Sequence, residues 1–212
     1  MALVVAFTTI LVACRVASPI PLPPGEVNEY QGEKLSSIND FRENSISGPQ
    51  RIDITTYRLK ISGLVQNPKE YQYDEVVASY QHYQKVITLN CVEGWSVKIL
   101  WEGLLMKDLL AASAPLPTAK VVIFHCYDGY TTASPVDYLM NKNILMAYKI
   151  NDLTIPPERG YPFMLAAESK WGYKWAKWLT EIELSDDVNY RGYWESRGYS
   201  NAGDLDKSST EY

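Results

Sequence analysis

The chain has 212 residues, of which 46% are hydrophobic and 21% are charged, so it can bury one sizeable core and its length favours a single main domain. Its formal net charge of −5 at pH 7 argues against a nucleic-acid-binding protein, because such proteins usually present a basic surface. The 6 Trp and 16 Tyr residues are typical of a β-rich core or of a pocket lined with aromatic rings.

The N-terminal stretch is expected to be an export signal. Residues 1–13, MALVVAFTTILVA, contain no charge and are too few to span a bilayer as a mature helix. The adjoining Leu11-Val12-Ala13-Cys14 resembles the lipobox of bacterial lipoproteins, where cleavage precedes a lipid-bearing cysteine. We therefore expect a signal peptide over 1–13 and an exported domain anchored to the membrane surface of the cell envelope through a lipid on Cys14. A cleaved signal without lipid and a buried apolar N-terminus are the alternatives.

Composition then divides the rest of the chain. Residues 14–37 are predicted to be a Pro-rich tether, because Pro19, Pro21, Pro23 and Pro24 favour extended backbone and exclude helix. The main domain is predicted to span residues 38–201. The polar residues 202–212 are expected to form a frayed tail.

Within the domain, apolar residues recur mostly with a period of two. This pattern predicts strands at residues 52–63, 85–90, 96–101, 120–126, 144–150 and 180–184. Short helices are predicted at residues 74–80, 106–113 and 134–140, the last with Pro135 at its first position. Because strands predominate and do not alternate strictly with helices, the predicted fold class is α+β with a mixed, mainly antiparallel sheet.

Several kinds of site have no support in the sequence. The only histidines, His82 and His125, are too far apart to form a local zinc motif, and the glycine-rich motifs of nucleotide-binding proteins and the GxSxG motif are absent. The segment around Cys91 remains, where a cysteine ends a predicted strand and Gly94 and Trp95 follow. A strand end holds a thiolate well for metal ligation. A merely buried cysteine and a disulfide with Cys126 are the alternatives.

Longer motifs carry a family resemblance. Residues 88–110, TLNCVEGWSVKILWEGLLMKDLL, resemble the central motif of the oxidoreductase molybdopterin-binding family, which includes sulfite oxidases, plant nitrate reductases and periplasmic methionine-sulfoxide reductase subunits. Residues 39–43 resemble its early cofactor loop, 57–63 the strand after it, 170–177 its late pterin-phosphate loop and 192–200 its ending. The resemblance runs in matching order from about residue 38 to 201 and implies a sulfite-oxidase-type fold.

The resemblance also implies a cofactor site for molybdenum-molybdopterin. Cys91 is the implied metal ligand, because a soft thiolate suits a molybdenum centre. Met164 departs from the family, since some relatives have a phosphate-binding arginine there. The implied cofactor-binding residues are Asn39, Arg42, Glu43, Cys126, Arg159, Lys174, Trp175, Ala176 and Lys177.

The lysine cluster of residues 170–177 allows two interpretations. Lys170, Lys174 and Lys177 recur at helix-like spacing, which alone would indicate an amphipathic helix. The intervening glycine and aromatic residues favour a loop. Under the resemblance, Lys174 to Lys177 surround the terminal phosphate of the cofactor with ammonium groups and backbone N–H donors.

The implied activity is two-electron oxygen-atom transfer on a small sulfur-containing or related substrate. Asp128, Tyr130 and Thr131 are candidates for the catalytic pocket wall, with Asp128 and Tyr130 foremost; a plain turn around Gly129 is the alternative. Electrons would be exchanged with a separate haem- or quinone-linked protein. A binding lipoprotein that kept the fold but lost the cofactor is the competing function.

Overall fold

The computed structural model describes residues 22–211, so the expected signal peptide and Cys14 lie outside the described residues. The helices are α1 (Tyr73–Ser79), α2 (Met106–Ser113) and α3 (Val136–Asn141). The strands are β1 (Glu29–Tyr30), β2 (Glu33–Lys34), β3 (Leu59–Gly63), β4 (Lys69–Tyr71), β5 (His82–Asn90), β6 (Ser96–Leu105), β7 (Val121–Cys126), β8 (Thr131–Pro135), β9 (Leu145–Ile150), β10 (Leu153–Thr154), β11 (Met164–Ala166) and β12 (Leu179–Ser185).

Two main sheets build the domain. One has the order β10-β9-β6-β5, with β11 also paired to β9, and all its pairs are antiparallel. The other has the order β4-β3-β12-β7-β8, in which only the β3–β12 pair is parallel. The prediction of an α+β fold with a mixed, mainly antiparallel sheet is therefore confirmed.

The β5–β6 hairpin is the longest pairing and carries the segment of interest. Its register joins every residue from His82↔Leu104 to Asn90↔Ser96. Buried positions alternate at the Cys91 end of both strands, where Leu89, Val97 and Ile99 lie in the core. This alternation fixes the register, because a slip of one residue would turn the apolar side chains to solvent.

The predicted strands and helices are largely present, with two instructive shifts. The strand predicted from residue 52 begins only at Leu59, because the Asp53 carboxylate accepts from the Thr55 N–H at 3.0 Å and turns the chain. The third helix begins one residue after Pro135, which instead pairs with Val121 at the end of β8. Proline fits there because β8 is an edge strand.

The folded part extends beyond the predicted domain limits at both ends. Within the predicted tether, the Glu26 carboxylate accepts from the Ile38 N–H at 2.6 Å and from the Asn151 amide at 2.8 Å. Within the predicted frayed tail, Asp204 pairs with Lys170, and the Gly203 carbonyl accepts from the Trp171 N–H at 2.8 Å. These contacts pack part of the predicted tether and part of the predicted tail against the domain. None of the helices in residues 22–211 has the length and apolarity needed to cross a membrane.

Gly63, at the end of β3, provides a test of the sheet contact. Its φ is +79°, and a Cβ there would lie 2.1 Å from the Leu184 carbonyl oxygen of β12. We expect Gly63→Ala to lower the free energy of unfolding by about 2 kcal/mol or more, because backbone strain and a backbone clash add. Gly32→Ala is the matched control. Gly32 also has a positive φ, +82°, but a Cβ there would have no atom within 4 Å. This variant should therefore lose clearly less free energy of unfolding than Gly63→Ala. Urea denaturation of both variants would refute this reading if the two losses were equal.

Candidate functional site

Cys91 lies in the tight turn that joins β5 to β6. Its N–H donates to the Trp95 carbonyl at 2.9 Å, and its own carbonyl accepts from the Gly94 N–H at 3.1 Å. Gly94 has a φ of +83°, a conformation that glycine adopts without strain. The hairpin and its turn therefore hold the Cys91 backbone in one position.

The Cys91 side chain faces a cavity of about 320 Å³. Its sulfur accepts a hydrogen bond from the Asn44 amide at 3.6 Å, and burial raises the pKa of the thiol above its usual value. Cys126 is buried and is also a free thiol, so the two cysteines form no disulfide in this structure. Burial raises the pKa of Cys126 strongly.

Loops from distant parts of the chain enclose this cavity, as is usual for a binding site on a rigid scaffold. They are the early loop 41–46, the hairpin turn 91–95, the β7–β8 turn, the segment 158–164, the late loop 172–177 and two aromatic residues near the C-terminus. The late loop reaches Cys91 directly, since Gly172 lies against the Cys91 backbone and Trp171 forms a parallel bridge to Asn90.

One part of the cavity wall is cationic. Arg159 lines it, and its Nη1 is buried with no hydrogen-bond partner among residues 22–211. Lys177 also lines the cavity, and its ammonium group pairs with the Glu43 carboxylate at 3.1 Å. The backbones of Met164 and Lys177 form an isolated antiparallel β-bridge. Burial lowers the pKa of both Arg159 and Lys177, which indicates that their charges are incompletely compensated. A buried guanidinium nitrogen without an acceptor favours an anionic or acceptor-rich ligand.

Asp128 and Tyr130 line the cavity and also form the turn that was the alternative interpretation. Gly129 has a φ of +85°, and the Asp128 carboxylate accepts from the Tyr130 N–H at 3.0 Å. The Tyr130 hydroxyl donates to the Tyr173 carbonyl, and burial raises the pKa of Tyr130 strongly. Tyr130 therefore connects the turn to the late loop. Thr131 does not line the cavity; its hydroxyl accepts from Tyr190 at 2.9 Å.

Four residues expected to bind cofactor do not line the cavity. Asn39 lies in the 3₁₀ turn of residues 38–40, beside a separate surface depression. The backbone of Cys126 is used by the β7–β8 turn, and Ala176 is fully buried with its N–H donated to the Lys174 carbonyl. Lys174 is buried in an ion pair with Glu195 at 2.6 Å. The assignment of these four residues to cofactor contact stays a prediction. Arg42, Glu43, Arg159, Trp175 and Lys177 do line the cavity.

Asn44, Trp194 and Tyr199 are among the cavity residues that the sequence interpretation missed. Asn44 directly follows the loop residues 39–43 and contacts the Cys91 sulfur. Because Asn39 and Asn44 are the same residue type, the sequence does not indicate which of them reaches the site. Trp194 and Tyr199 belong to the recognised ending, to which no role was assigned. Trp194 and Tyr199 lie in the same cavity as Cys91 because of tertiary contacts, which no local sequence pattern encodes.

Comparison with known proteins gives a consistent result. The family model described as oxidoreductase molybdopterin binding domain matches residues 46–194. An uncharacterized oxidoreductase of Bacillus subtilis, YuiH, is 32% identical over 157 residues, covering 74% of this chain and 78% of the relative. The methionine-sulfoxide reductase catalytic subunit MsrP of Xanthomonas campestris is 24% identical over 209 residues, covering 82% of this chain and 65% of the relative.

A solved structure shares the fold. The sulfane dehydrogenase SoxCD of Paracoccus pantotrophus superposes with a TM-score of 0.65 at 18% identity, covering 88% of this chain and 58% of that chain. This chain therefore spans less than two thirds of the lengths of SoxCD and MsrP. The sulfite-oxidase-type architecture expected from the sequence is confirmed.

The cationic wall can be tested without any cofactor. We expect inorganic pyrophosphate to bind the protein, and Arg159→Met to weaken that binding by about tenfold or more, because a charge-assisted contact contributes on the order of 1.5–3 kcal/mol. Arg51→Met is the matched control, since Arg51 is exposed and outside the cavity. Isothermal titration calorimetry measures both; equal affinities in the two variants would contradict the assignment.

Proposed function

The chain belongs to the oxidoreductase molybdopterin-binding domain family and is a molybdopterin-dependent oxidoreductase of the sulfite-oxidase-like kind, and on this premise we propose that Cys91 is the protein ligand of its molybdenum. We propose further that the enzyme catalyses two-electron oxygen-atom transfer on a small sulfur-containing substrate. The observation that carries the proposal is that the free Cys91 thiol lines the same cavity as the cationic groups of Arg159 and Lys177.

The residues present fit such a cofactor. A molybdopterin carries a phosphate, many hydrogen-bonding groups and a metal that takes a thiolate ligand. The cavity offers a thiol, two cations and the buried Arg159 Nη1 and Ser45 Oγ, which lack hydrogen-bond partners within residues 22–211. Its volume of about 320 Å³ is in the range of small-ligand sites.

Each cavity residue has a definite part in this proposal. When bound, the cofactor supplies the exchange of an oxygen atom and two electrons with the substrate. Cys91 would hold the metal through its thiolate, and the Asn44 amide, which donates to that sulfur, would orient it. Arg159 and Lys177 would hold the phosphate, and Lys177 would give up its ion pair with the Glu43 carboxylate to do so. Trp95 and Trp175 line the cavity with apolar surface and would exclude water from the bound group.

Substrate and partner are inferred from chemistry and from relatives. MsrP is named for methionine sulfoxide and SoxCD for a sulfane, so both relatives act on sulfur. We therefore propose that the substrate of this chain also reacts at a sulfur atom. Because the cofactor must be restored after each turnover, we infer electron exchange with a separate haem- or quinone-linked protein.

Replacement of Cys91 is the direct test of the metal ligand. We expect Cys91→Ser to give a folded protein that loses nearly all oxygen-transfer activity on dimethyl sulfoxide or sulfite, because a hydroxyl is a poor substitute for a thiolate ligand. Cys126→Ser is the matched control, since Cys126 is buried but outside the cavity, and it should keep its molybdenum and activity.

The readouts are metal content by mass spectrometry and turnover with a dye electron carrier. Full activity of Cys91→Ser would exclude Cys91 as the ligand. Absence of molybdenum from the wild-type protein, after expression in a host that makes the cofactor, would favour the binding lipoprotein.

The proposed location is the cell envelope, with export directed by residues 1–13 and anchoring through a lipid on Cys14. The uncharged apolar stretch and the Leu11-Val12-Ala13-Cys14 motif support this proposal. We expect the native protein to lack residues 1–13 and to carry lipid on Cys14, and Cys14→Ser to release it from membranes. Intact-mass spectrometry of the native protein checks both points; an uncleaved or unlipidated chain would refute the anchor.

A further inference from the structure

The C-terminal strap, defined here as residues 191–211, forms one side of the Cys91 cavity. Trp194 and Tyr199 of the strap line the cavity, and their ring centroids are 5.3 Å apart. Tyr199 also packs edge-on against Tyr173 of the late loop, at 5.1 Å. These three rings, Tyr173, Trp194 and Tyr199, make up the aromatic wall.

Polar contacts attach the strap to the late loop. The Tyr173 hydroxyl donates to the Ser200 carbonyl at 2.8 Å, and Lys170 donates to the Ala202 carbonyl at 2.9 Å. At the other end of the strap, the Tyr193 N–H donates to the Thr131 carbonyl at 2.9 Å. The strap is thus held against both the β7–β8 turn and the late loop.

The centre of this attachment is a buried ion pair. The Lys174 ammonium lies 2.6 Å from the Glu195 carboxylate, and the two side chains are 1% and 0% exposed. Lys174 also donates to the Asn201 carbonyl at 3.0 Å, and the Thr132 hydroxyl donates to Glu195. The position is tightly packed, because a Cβ on Gly203 would lie 2.5 Å from the Lys174 side chain.

Net stability is a poor explanation for this pair. Removing two charges from water costs free energy that a well-packed apolar pair avoids, and the second Glu195 oxygen is buried with no hydrogen-bond partner in residues 22–211. Directional hydrogen bonds do, however, fix geometry more narrowly than apolar contacts do. Trp194 directly precedes Glu195 in the chain, so a fixed Glu195 restricts where the Trp194 backbone can lie.

We propose that Glu195 is a positioning residue, which acts through Lys174 and Thr132 to hold Trp194 and Tyr199 as the substrate-confining wall of the Cys91 cavity. The role in substrate confinement rests on the proposed function. The role in holding the strap does not, because it concerns the protein without cofactor.

Two readouts on the cofactor-free protein test the positioning role. Glu195→Gln leaves the Lys174 charge buried without its anion, so we expect hydrogen exchange of the strap amides and alkylation of Cys91 by iodoacetamide each to accelerate about tenfold. Cys126 in the same sample is the internal reference, because it is buried outside the cavity. Lys149→Met, which breaks the Lys149–Glu102 pair away from the strap, is the matched control and should change neither rate.

A double variant distinguishes a positioning role of the ion pair from a stabilising one. It can also be used if Glu195→Gln does not fold. Lys174→Met/Glu195→Leu buries no charge, so its unfolding free energy should equal or exceed that of the wild type. We nevertheless expect faster exchange of the strap and faster alkylation of Cys91. A strap as protected as in the wild type, or faster exchange spread evenly over the whole chain, would overturn the proposal.

The cofactor-loaded enzyme tests the wall itself. We expect Trp194→Ala and Glu195→Gln each to raise KM for dimethyl sulfoxide about tenfold with kcat within about twofold, since both loosen substrate confinement rather than the metal site. Their effects on KM should not add, because they act through the same wall. An unchanged KM in Trp194→Ala would overturn the wall assignment. Loss of the proposed function would show separately, as wild-type protein without molybdenum.

Discussion

The tight turn at Cys91 is the constraint on which the rest of the site depends. The β5–β6 hairpin pairs residue for residue up to Asn90↔Ser96, and Gly94 then closes the turn with a positive φ. A thiol at this point has no freedom to move along the sheet. The loops that meet it must therefore be brought to Cys91, and the fold does so through contacts such as Asn44 to the sulfur and Gly172 to the backbone.

Contacts at both ends of the chain serve the same purpose. Glu26 and Asn151 fix the segment that leads into the early loop, and Phe41 then packs against Trp95 and Trp101 at ring distances of 6.3 Å and 6.1 Å. At the other end, the strap is held to the late loop by buried polar contacts. Segments that read as a tether and a tail are thus part of the cavity's support, which explains why the folded region exceeds its predicted limits.

Sequence reasoning predicted the sheets and the position of Cys91 at a strand end because both depend on local signals. Alternating apolar residues define β5 and β6, and a cysteine followed by glycine marks the turn. It did not predict which side chains line the cavity, from which Asn39, Cys126, Lys174 and Ala176 are absent. Side chains a few residues apart in a 3₁₀ turn face opposite ways, and the partner of Lys174 is Glu195, which is remote in sequence. Such pairings follow from tertiary packing.

The contrast between Arg159 and Lys177 indicates how the cavity selects an anion. Lys177 is already paired with Glu43, whose side chain is 34% exposed and can turn into water at small cost. An incoming phosphate would therefore exchange one partner of Lys177 for another and gain little from it alone. Arg159 Nη1 is buried without an acceptor in the described part of the chain, so an anion that reaches it removes an existing penalty. Arg159 is consequently the stronger determinant of anion binding. Lys177 contributes less, because it must exchange its Glu43 partner for the anion.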